Sequence, residues 1–333
     1  MLITTRSVCF FPQCYMRKKS LRKLKYLVGD LFANIFVTFI ILIFRVLTPQ
    51  MLVFIAKFVG RMTFYLVKKY RKRVIGNLSI AFRNEKDPDE IKRLAMQVFF
   101  HFTLTPLETI YLVANPFERI LAKIRIEGRE HLDAALAQGK GAIALGAHLG
   151  SFTLLGTRLA VEGYPFNVIL NESNFPKLMK RIREYSRRVG QKSFSPKPAS
   201  TSVKKSMNCL RRNEILYLVA DQQQRRGGIP VSFFGQTAYT PPGPAIFSLK
   251  TGAPILPMYI LREKGIQKTL FIENPLEIKR TFNERKDTDL LTAQFTKTIE
   301  EIVRRYPSQW AWLNRRWKLP YQNSILDRKE KKV

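Results

Sequence analysis

Residues 141–156 read GAIALGAHLGSFTLLG. A run of small apolar residues leads to one histidine, His148, with Gly146 and Gly150 on either side and hydroxyl-bearing residues after it. The pattern is that of a strand that ends by presenting an imidazole at the mouth of a site. The glycines let other groups approach closely. General-base chemistry suits such an imidazole, provided that a second group orients it.

The same pattern extends outward. After residue 116, short apolar runs alternate with amphipathic segments. The runs are AKIRIEG (122–128), AIALGA (142–147), FNVIL (166–170), EILYLVAD (214–221), APILPMYIL (253–261) and KTLFIENPLEI (268–278). Helices are predicted between them at 130–138, 152–162, 176–189, 201–212, 243–251 and 287–305. A further helix is predicted at 89–114 from the spacing of Ile91, Leu94, Val98, Phe99 and Phe102. Strands alternating with helices define an α/β fold with a mostly parallel central sheet flanked by helices. Ligands of such sheets bind beyond the carboxyl ends of strands. His148 follows one strand end and Asp221 another, and that common position argues for placing both near one site.

The chain has 333 residues, of which 46% are hydrophobic, enough for a sizeable core. Its 57 Lys and Arg against 25 Asp and Glu leave a formal net charge of +32. Such an excess favours anionic partners: nucleic acid, anionic lipid or phosphorylated substrates. No zinc finger, basic zipper or RNP signature is present, so charge alone argues for nucleic acid, and a membrane accounts better for basic clusters beside apolar segments. Cys9, Cys14 and Cys209 make neither a disulfide framework nor a metal site. No metal or tightly held cofactor is indicated, and a reducing compartment is expected.

Residues 1–25 form a basic N-terminal arm with no acid. An apolar segment follows, charge-free from Leu31 to Phe44, which is shorter than the roughly 20 residues of a full span. Asp30 and Arg45 at its ends can snorkel. Lys57, Arg61, Lys68, Lys69, Arg71, Lys72 and Arg73 form a second basic cluster. Basic flanks stay cytoplasmic, so a hairpin turning at Thr48-Pro49-Gln50, or one interfacial helix, fits better than a single crossing. The plainer alternatives are a cleaved signal peptide and two buried helices of a soluble domain. The expected division is a basic arm at 1–25, a membrane-anchoring helical segment at 26–70, the α/β domain at 71–324 and a charged tail at 325–333.

Beyond His148, His101 lies in an aromatic-rich helical pattern and reads as a satisfied structural histidine. His131 reads as a surface or helix-start residue. In residues 221–257, Gly and Pro mark turns, Phe233-Phe234-Gly235 places aromatics beside a loop, and Thr240 is positioned to cap the next helix. Taken alone, that segment reads as a connection without a ligand. The tryptophan-rich YPSQWAWLNRRWK (306–318) suits a membrane belt as well as a core.

Taken together, RVIGNLSIAF (73–82), LDAALAQGKGAIALGAHLG (132–150), PVSFFGQTAYTPPGPAIFSLKTGAPILP (230–257) and YPSQWAWLNRRWK resemble successive blocks of the bacterial lipid A biosynthesis acyltransferases. These are the late lauroyl and myristoyl acyltransferases of the lysophospholipid acyltransferase superfamily. The resemblance implies an N-terminal membrane anchor and an active site on the cytoplasmic face of the bacterial inner membrane. It also implies transfer of a fatty acyl group from an acyl-carrier protein or coenzyme A thioester to a hydroxyl of a phosphorylated glycolipid. The substrate-binding positions carried over are Gly150, Ser151, Asn171, Glu172, Phe234, Gly235, Thr240, Gly243, Arg315 and Arg316.

The family motif is His, four residues, then Asp or Glu. Here Thr153 occupies the acid's position, and a threonine carries no charge. Asn171 and Asn314 also depart from the family's pattern, which usually has a basic residue and often a histidine there. Three outcomes stay open. Another acid, with Glu172 and Asp221 as the candidates, orients His148; the enzyme runs slowly on His148 alone; or the chain is an inactive relative that binds lipid or a partner. The backbone at Gly150 and Ser151 is expected to stabilise the oxyanion. Arg225, Arg226, Arg315 and Arg316 are expected to attract phosphates or the carrier protein.

Overall fold

The apolar runs become strands and the amphipathic segments become helices in the computed structural model. It describes residues 33–83, 85–116, 121, 123–170, 176–224, 226–263, 267–281 and 283–317. The basic arm (1–25), the charged tail (325–333), Cys9, Cys14, Asn171, Glu172 and Arg225 lie outside the described residues.

Among the helices described in full, the first are α1 (Ala33–Val46), α2 (Pro49–Leu66), α3 (Lys68–Ala81) and α4 (Pro88–Ala114). They are followed by β1 (Ile124–Glu127), α5 (Arg129–Ala137), β2 (Ala142–Gly146), α6 (Leu155–Val161), β3 (Phe166–Ile169), α7 (Pro176–Arg188), β4 (Lys192–Phe194), α8 (Ala199–Arg211) and β5 (Ile215–Val219). The hairpin β6 (Ile229–Phe233) and β7 (Gln236–Thr240) leads to α9 (Gly243–Thr251), β8 (Ile255–Arg262), β9 (Lys268–Ile272) and α10 (Glu284–Arg305).

The main sheet has the order β1-β9-β8-β2-β5-β3-β4, and every adjoining pair except β8–β9 is parallel. Alternation along the central strands splits the core between the two faces of the sheet. Ile143, Leu145 and Leu216 join a cluster with Phe99, Phe295 and Trp310, whereas Ala142, Ala144, Ile215 and Tyr217 join one with Leu132, Leu155 and Leu159. Gly146 is glycine for a steric reason. A Cβ there would meet the Tyr217 ring of the neighbouring strand at 2.3 Å.

Sequence reading did not separate β4 or the β6–β7 hairpin from their surroundings. The hairpin turn is made by Phe234 and Gly235, both at positive φ, and Phe234 is buried against Phe82 and Trp312. Thr240 does not cap α9. The cap residue is Pro242, and the buried Thr240 hydroxyl instead accepts a hydrogen bond from Arg316 Nη2 at 2.5 Å. All three tryptophans pack in the core region.

The chain turns through 117° between α1 and α2, at the predicted Thr48-Pro49 break, where the Thr48 hydroxyl accepts from Met51 N. Among the described residues no single helix is long and apolar enough to cross a membrane, although this bent pair passes that test together. One face of the pair packs on α4 through Phe44, Leu52, Ala56 and Leu104. Gly60 permits the approach, since a Cβ there would lie 3.0 Å from the Phe100 backbone. The other face exposes Phe36, Phe39, Val46, Phe54, Phe58 and Leu66.

Candidate active site

Because β2 and β5 run parallel with Gly146 opposite Val219, the residues two beyond each strand end meet in register. They are His148 and Asp221. The His148 ring nitrogen Nδ1 lies 2.7 Å from Asp221 Oδ1, and His148 N donates to Asp221 Oδ2 at 2.7 Å. Trp310 Nε1 donates to the same Oδ2 at 2.7 Å, so three N–H groups surround the buried carboxylate. An ionised carboxylate only accepts, so the bond to Asp221 puts the imidazole proton on Nδ1 and leaves Nε2 as a free base. Nε2 accepts from Gln222 Nε2 at 3.2 Å. The Phe152 ring packs edge-on against the imidazole, 4.9 Å between centroids.

Two opposed effects set the basicity of His148. Burial disfavours the imidazolium, but the charge of Asp221 and its hydrogen bond outweigh burial, and the pKa is raised above 6.5. On Asp221, burial favours the neutral acid. The charge of His148, its two hydrogen bonds and that of Trp310 prevail, and the carboxyl is held below its usual range.

His148 opens onto a cavity of about 360 Å³ with mainly apolar walls. Phe102, Pro106 and Ile110 of α4, Phe152, and Leu178 and Ile182 of α7 form those walls. Gln222 and Asn314 supply amides at its lining, and His101 supplies a second imidazole. Burial first, and then the nearby Arg262 cation, push the His101 pKa down to about 3 against the opposing charge of Glu108. His101 is therefore neutral, and its buried Nδ1 finds no partner among the described residues, unlike the satisfied histidine expected.

Behind the loop 148–151 lies a second buried carboxylate, Glu108 of α4. Arg262 reaches it through Nη2 at 2.7 Å and Nε at 3.2 Å, Lys268 Nζ lies at 3.1 Å, and Ser151 Oγ donates at 2.7 Å. Burial raises the Glu108 pKa, but the two cations and the hydrogen bonds outweigh it and hold the group at about 2. Arg262 also donates to Thr105 Oγ1, which donates to Gly150 O. Gln309 bridges the Arg262 backbone N–H and carbonyl.

These contacts correct the expected oxyanion donors. Gly150 N donates to Gln309 O at 2.9 Å and Ser151 N to Ile260 O at 3.0 Å, so both amides are spent within the fold. Gly150 has φ +58°, and a Cβ there would meet Ile260 O at 1.9 Å, so its glycine serves this close approach. Thr153 lines the cavity but bonds Thr109 Oγ1 at 2.8 Å rather than His148. Arg316 is not a surface phosphate ligand. It is buried over the Phe233 ring, 4.8 Å from its centroid, and bonds Tyr239 O and Thr240. Arg315 and Arg226 are exposed, Gly235 is exposed at the hairpin tip, and Gly243 opens α9. None of these four lines the His148 cavity.

Trp310 and Gln222, which line the candidate site, and Glu108 and Arg262, which brace its loop from behind, were not singled out from the sequence. Glu108 carried a usable signal, an acid in the middle of an apolar helical pattern. Gln222 was adjacent to a named residue. Trp310 and Arg262 are brought in from the distant C-terminal block and from β8.

Sequence comparison with known proteins finds acyltransferases. The family model described as bacterial lipid A biosynthesis acyltransferase matches residues 16–319. A phosphatidylinositol mannoside acyltransferase of Mycobacterium tuberculosis is 32% identical over 196 residues, 58% of this chain and 59% of the relative. The matched part thus spans less than two thirds of that relative's length. The lipid A biosynthesis palmitoleoyltransferase of Escherichia coli is 23% identical over 92% of this chain and 96% of its own. The lipid A biosynthesis lauroyltransferase of the same organism is 22% identical over 78% and 82%.

Proposed function

The chain belongs to the bacterial lipid A biosynthesis acyltransferase family, and on that premise we propose that it transfers a fatty acyl group from an acyl thioester to a hydroxyl of a lipid A-type or related phosphorylated glycolipid. The observation that carries this reading is the His148–Asp221 pair, joined at 2.7 Å, with the second imidazole nitrogen facing an apolar cavity. His148 Nε2 takes the proton of the acceptor hydroxyl as its oxygen attacks the thioester carbonyl. Asp221 fixes the tautomer and stabilises the imidazolium. The thiolate then leaves and recovers that proton from Nε2, so an ester bond replaces the thioester and the base is restored. Oxyanion stabilisation passes to a cavity-lining amide, and Gln222 is the candidate, since it already stands at hydrogen-bond distance from Nε2.

Thr153, at the position of the motif acid, is the ground for the alternative of a catalytically impaired or inactive relative that binds lipid or a partner. Asp221 supports the catalytic reading over it, because it supplies the carboxylate that Thr153 lacks. The donor is an acyl-carrier protein or coenzyme A thioester, whose anionic charge suits a chain of net charge +32. The 26–70 segment holds the enzyme at the cytoplasmic face of the inner membrane, with the exposed apolar face of α1–α2 in the lipid interface and the 71–324 part beside it. That assignment is supported by the large exposed aromatics and by the basic residues Lys57, Arg61 and Lys68 next to them.

The test is release of carrier thiol and acylation of a glycolipid acceptor by the full chain in mixed micelles, wild type against His148→Ala. Loss of both products in the variant is expected. Equal rates would remove His148 from the mechanism, and lipid binding without thiol release by the wild type would favour the inactive relative.

A further inference from the structure

A second cavity, of about 220 Å³, lies between α1 and α7. Its walls are two helical stripes of the same spacing: Thr38, Ile41, Leu42 and Arg45 on α1, and Arg181, Glu184, Tyr185 and Arg188 on α7. Positions three and four apart share one helix face, so each stripe points into the groove along about two turns. The groove is rich in cations. Arg45 is anchored by its Nε on Ala114 O at 3.3 Å, which leaves its terminal nitrogens for another acceptor. Arg181 meets Glu184 only at 3.6 Å, and Arg188 has no acidic partner among the described residues. Three guanidinium groups therefore face one carboxylate.

The position of the groove is as informative as its charge. Leu42 belongs both to its wall and to the exposed apolar face of α1, where Phe36, Phe39 and Val46 lie open. The groove also shares two helices with the His148 cavity. On α4, Ile110 lines that cavity and Val113, three residues on, lines the groove. On α7, Leu178 and Ile182 face the cavity while Arg181 and Tyr185 face the groove. One helical turn is about 5 Å, so the two sites are next-door neighbours. A guanidinium presents a planar fork matched to phosphate oxygens, and arginines in this number at a lipid-facing edge suit a phosphorylated headgroup.

We infer that the groove between α1 and α7 binds the phosphate of a membrane lipid through Arg45, Arg181 and Arg188, and so holds an acceptor whose hydroxyl enters the His148 cavity. The acceptor assignment rests on the acyl-transfer reading; the phosphate site does not. None of Arg226, Arg315 and Arg316, which the sequence marks as expected to attract phosphates, lines this groove.

The experiment must separate a site from general attraction of a basic protein to anionic lipid. The full chain is floated with phosphatidylcholine vesicles doped with phosphatidic acid. Wild type is compared with Arg181→Ala/Arg188→Ala and with the charge-matched control Lys204→Ala/Arg211→Ala on α8. The groove variant is expected to bind about tenfold more weakly than the control, the equivalent of one lost charge-assisted hydrogen bond. Equal weakening of both variants would overturn the site. Displacement of the wild type from doped vesicles by inorganic phosphate at the same concentration as the lipid phosphate would reduce it to a free-anion site and overturn the lipid assignment. In the transfer assay, the groove variant is expected to raise KM for a phosphorylated glycolipid about tenfold, with kcat within about twofold, and to lose the preference over the dephosphorylated acceptor. A retained preference would overturn the acceptor role. Absence of transfer by the wild type would instead sink the acyl-transfer reading, with the flotation result still deciding the groove.

Discussion

Two buried carboxylates flank the loop 148–151, and they are wired in opposite ways. Asp221 accepts from one titratable base and two neutral N–H groups, His148 N and Trp310 Nε1. Glu108 is held by two permanent cations, Arg262 and Lys268, and by Ser151. The charge of Asp221 is therefore compensated fully only when His148 is protonated, which is the moment at which a general base needs help. The charge of Glu108 is compensated at all times, so it responds to nothing in the reaction and serves to lock the loop to α4 and β8. A negative charge near a catalytic histidine is thus not enough to identify its partner; the nature of the counter-charge decides the role.

The sharpest test of this contrast is rate. His148→Ala and Asp221→Asn should each lower acyl transfer by on the order of 10³, and the double variant should lose little more, because the two act as one unit. Multiplicative losses would separate Asp221 from the mechanism. Glu108→Gln should act on stability instead. It leaves the buried Arg262 without its anion and should cost about 3–5 kcal/mol in denaturant unfolding, with the rate per folded molecule reduced far less. A rate loss matching that of Asp221→Asn at unchanged stability would erase the contrast.

The pH dependence offers a subtler measure. An imidazole can act as a base only when unprotonated, and the pKa of His148 is raised above 6.5. Transfer should therefore rise with pH through a limb lying above that of free imidazole. In Asp221→Asn burial acts without the opposing charge, so the residual activity should show its acid limb at lower pH. A limb that stays in place would mean that Asp221 does not set the basicity of His148. The smallest effect is expected from Thr153→Glu. Thr153 bonds Thr109, and Nδ1 of His148 is already occupied by Asp221, so the rate should not rise. An increase of about tenfold or more would show that the orienting acid is incomplete.

Much of this arrangement was legible in the sequence. The six apolar runs of the main sheet, the mostly parallel topology and the placing of His148 and Asp221 each just beyond a strand end follow from periodicity and from where parallel sheets bind ligands. β4 has only three residues, and the β6–β7 hairpin has no long apolar alternation, so both were lost among turn residues. Arg316 was misplaced because an arginine beside exposed-looking basic neighbours gives no sign that it will fold back over Phe233.

By itself, the sequence determined the strand and helix pattern, the net positive charge, the catalytic histidine candidate and the absence of the motif acid at Thr153. Each of these is a property of residue type and local spacing. The tertiary structure decided that Asp221 rather than Thr153 faces His148, that Trp310 completes the carboxylate's bonding, that the Gly150 and Ser151 amides are already taken, and that arginines of α1 and α7 converge on one groove. The reason is sequence distance. Asp221 Oδ2 and Trp310 Nε1 come together across 89 residues and His148 and Asp221 across 73. Strand register and helix packing bring these groups within hydrogen-bond reach, and no local pattern encodes either.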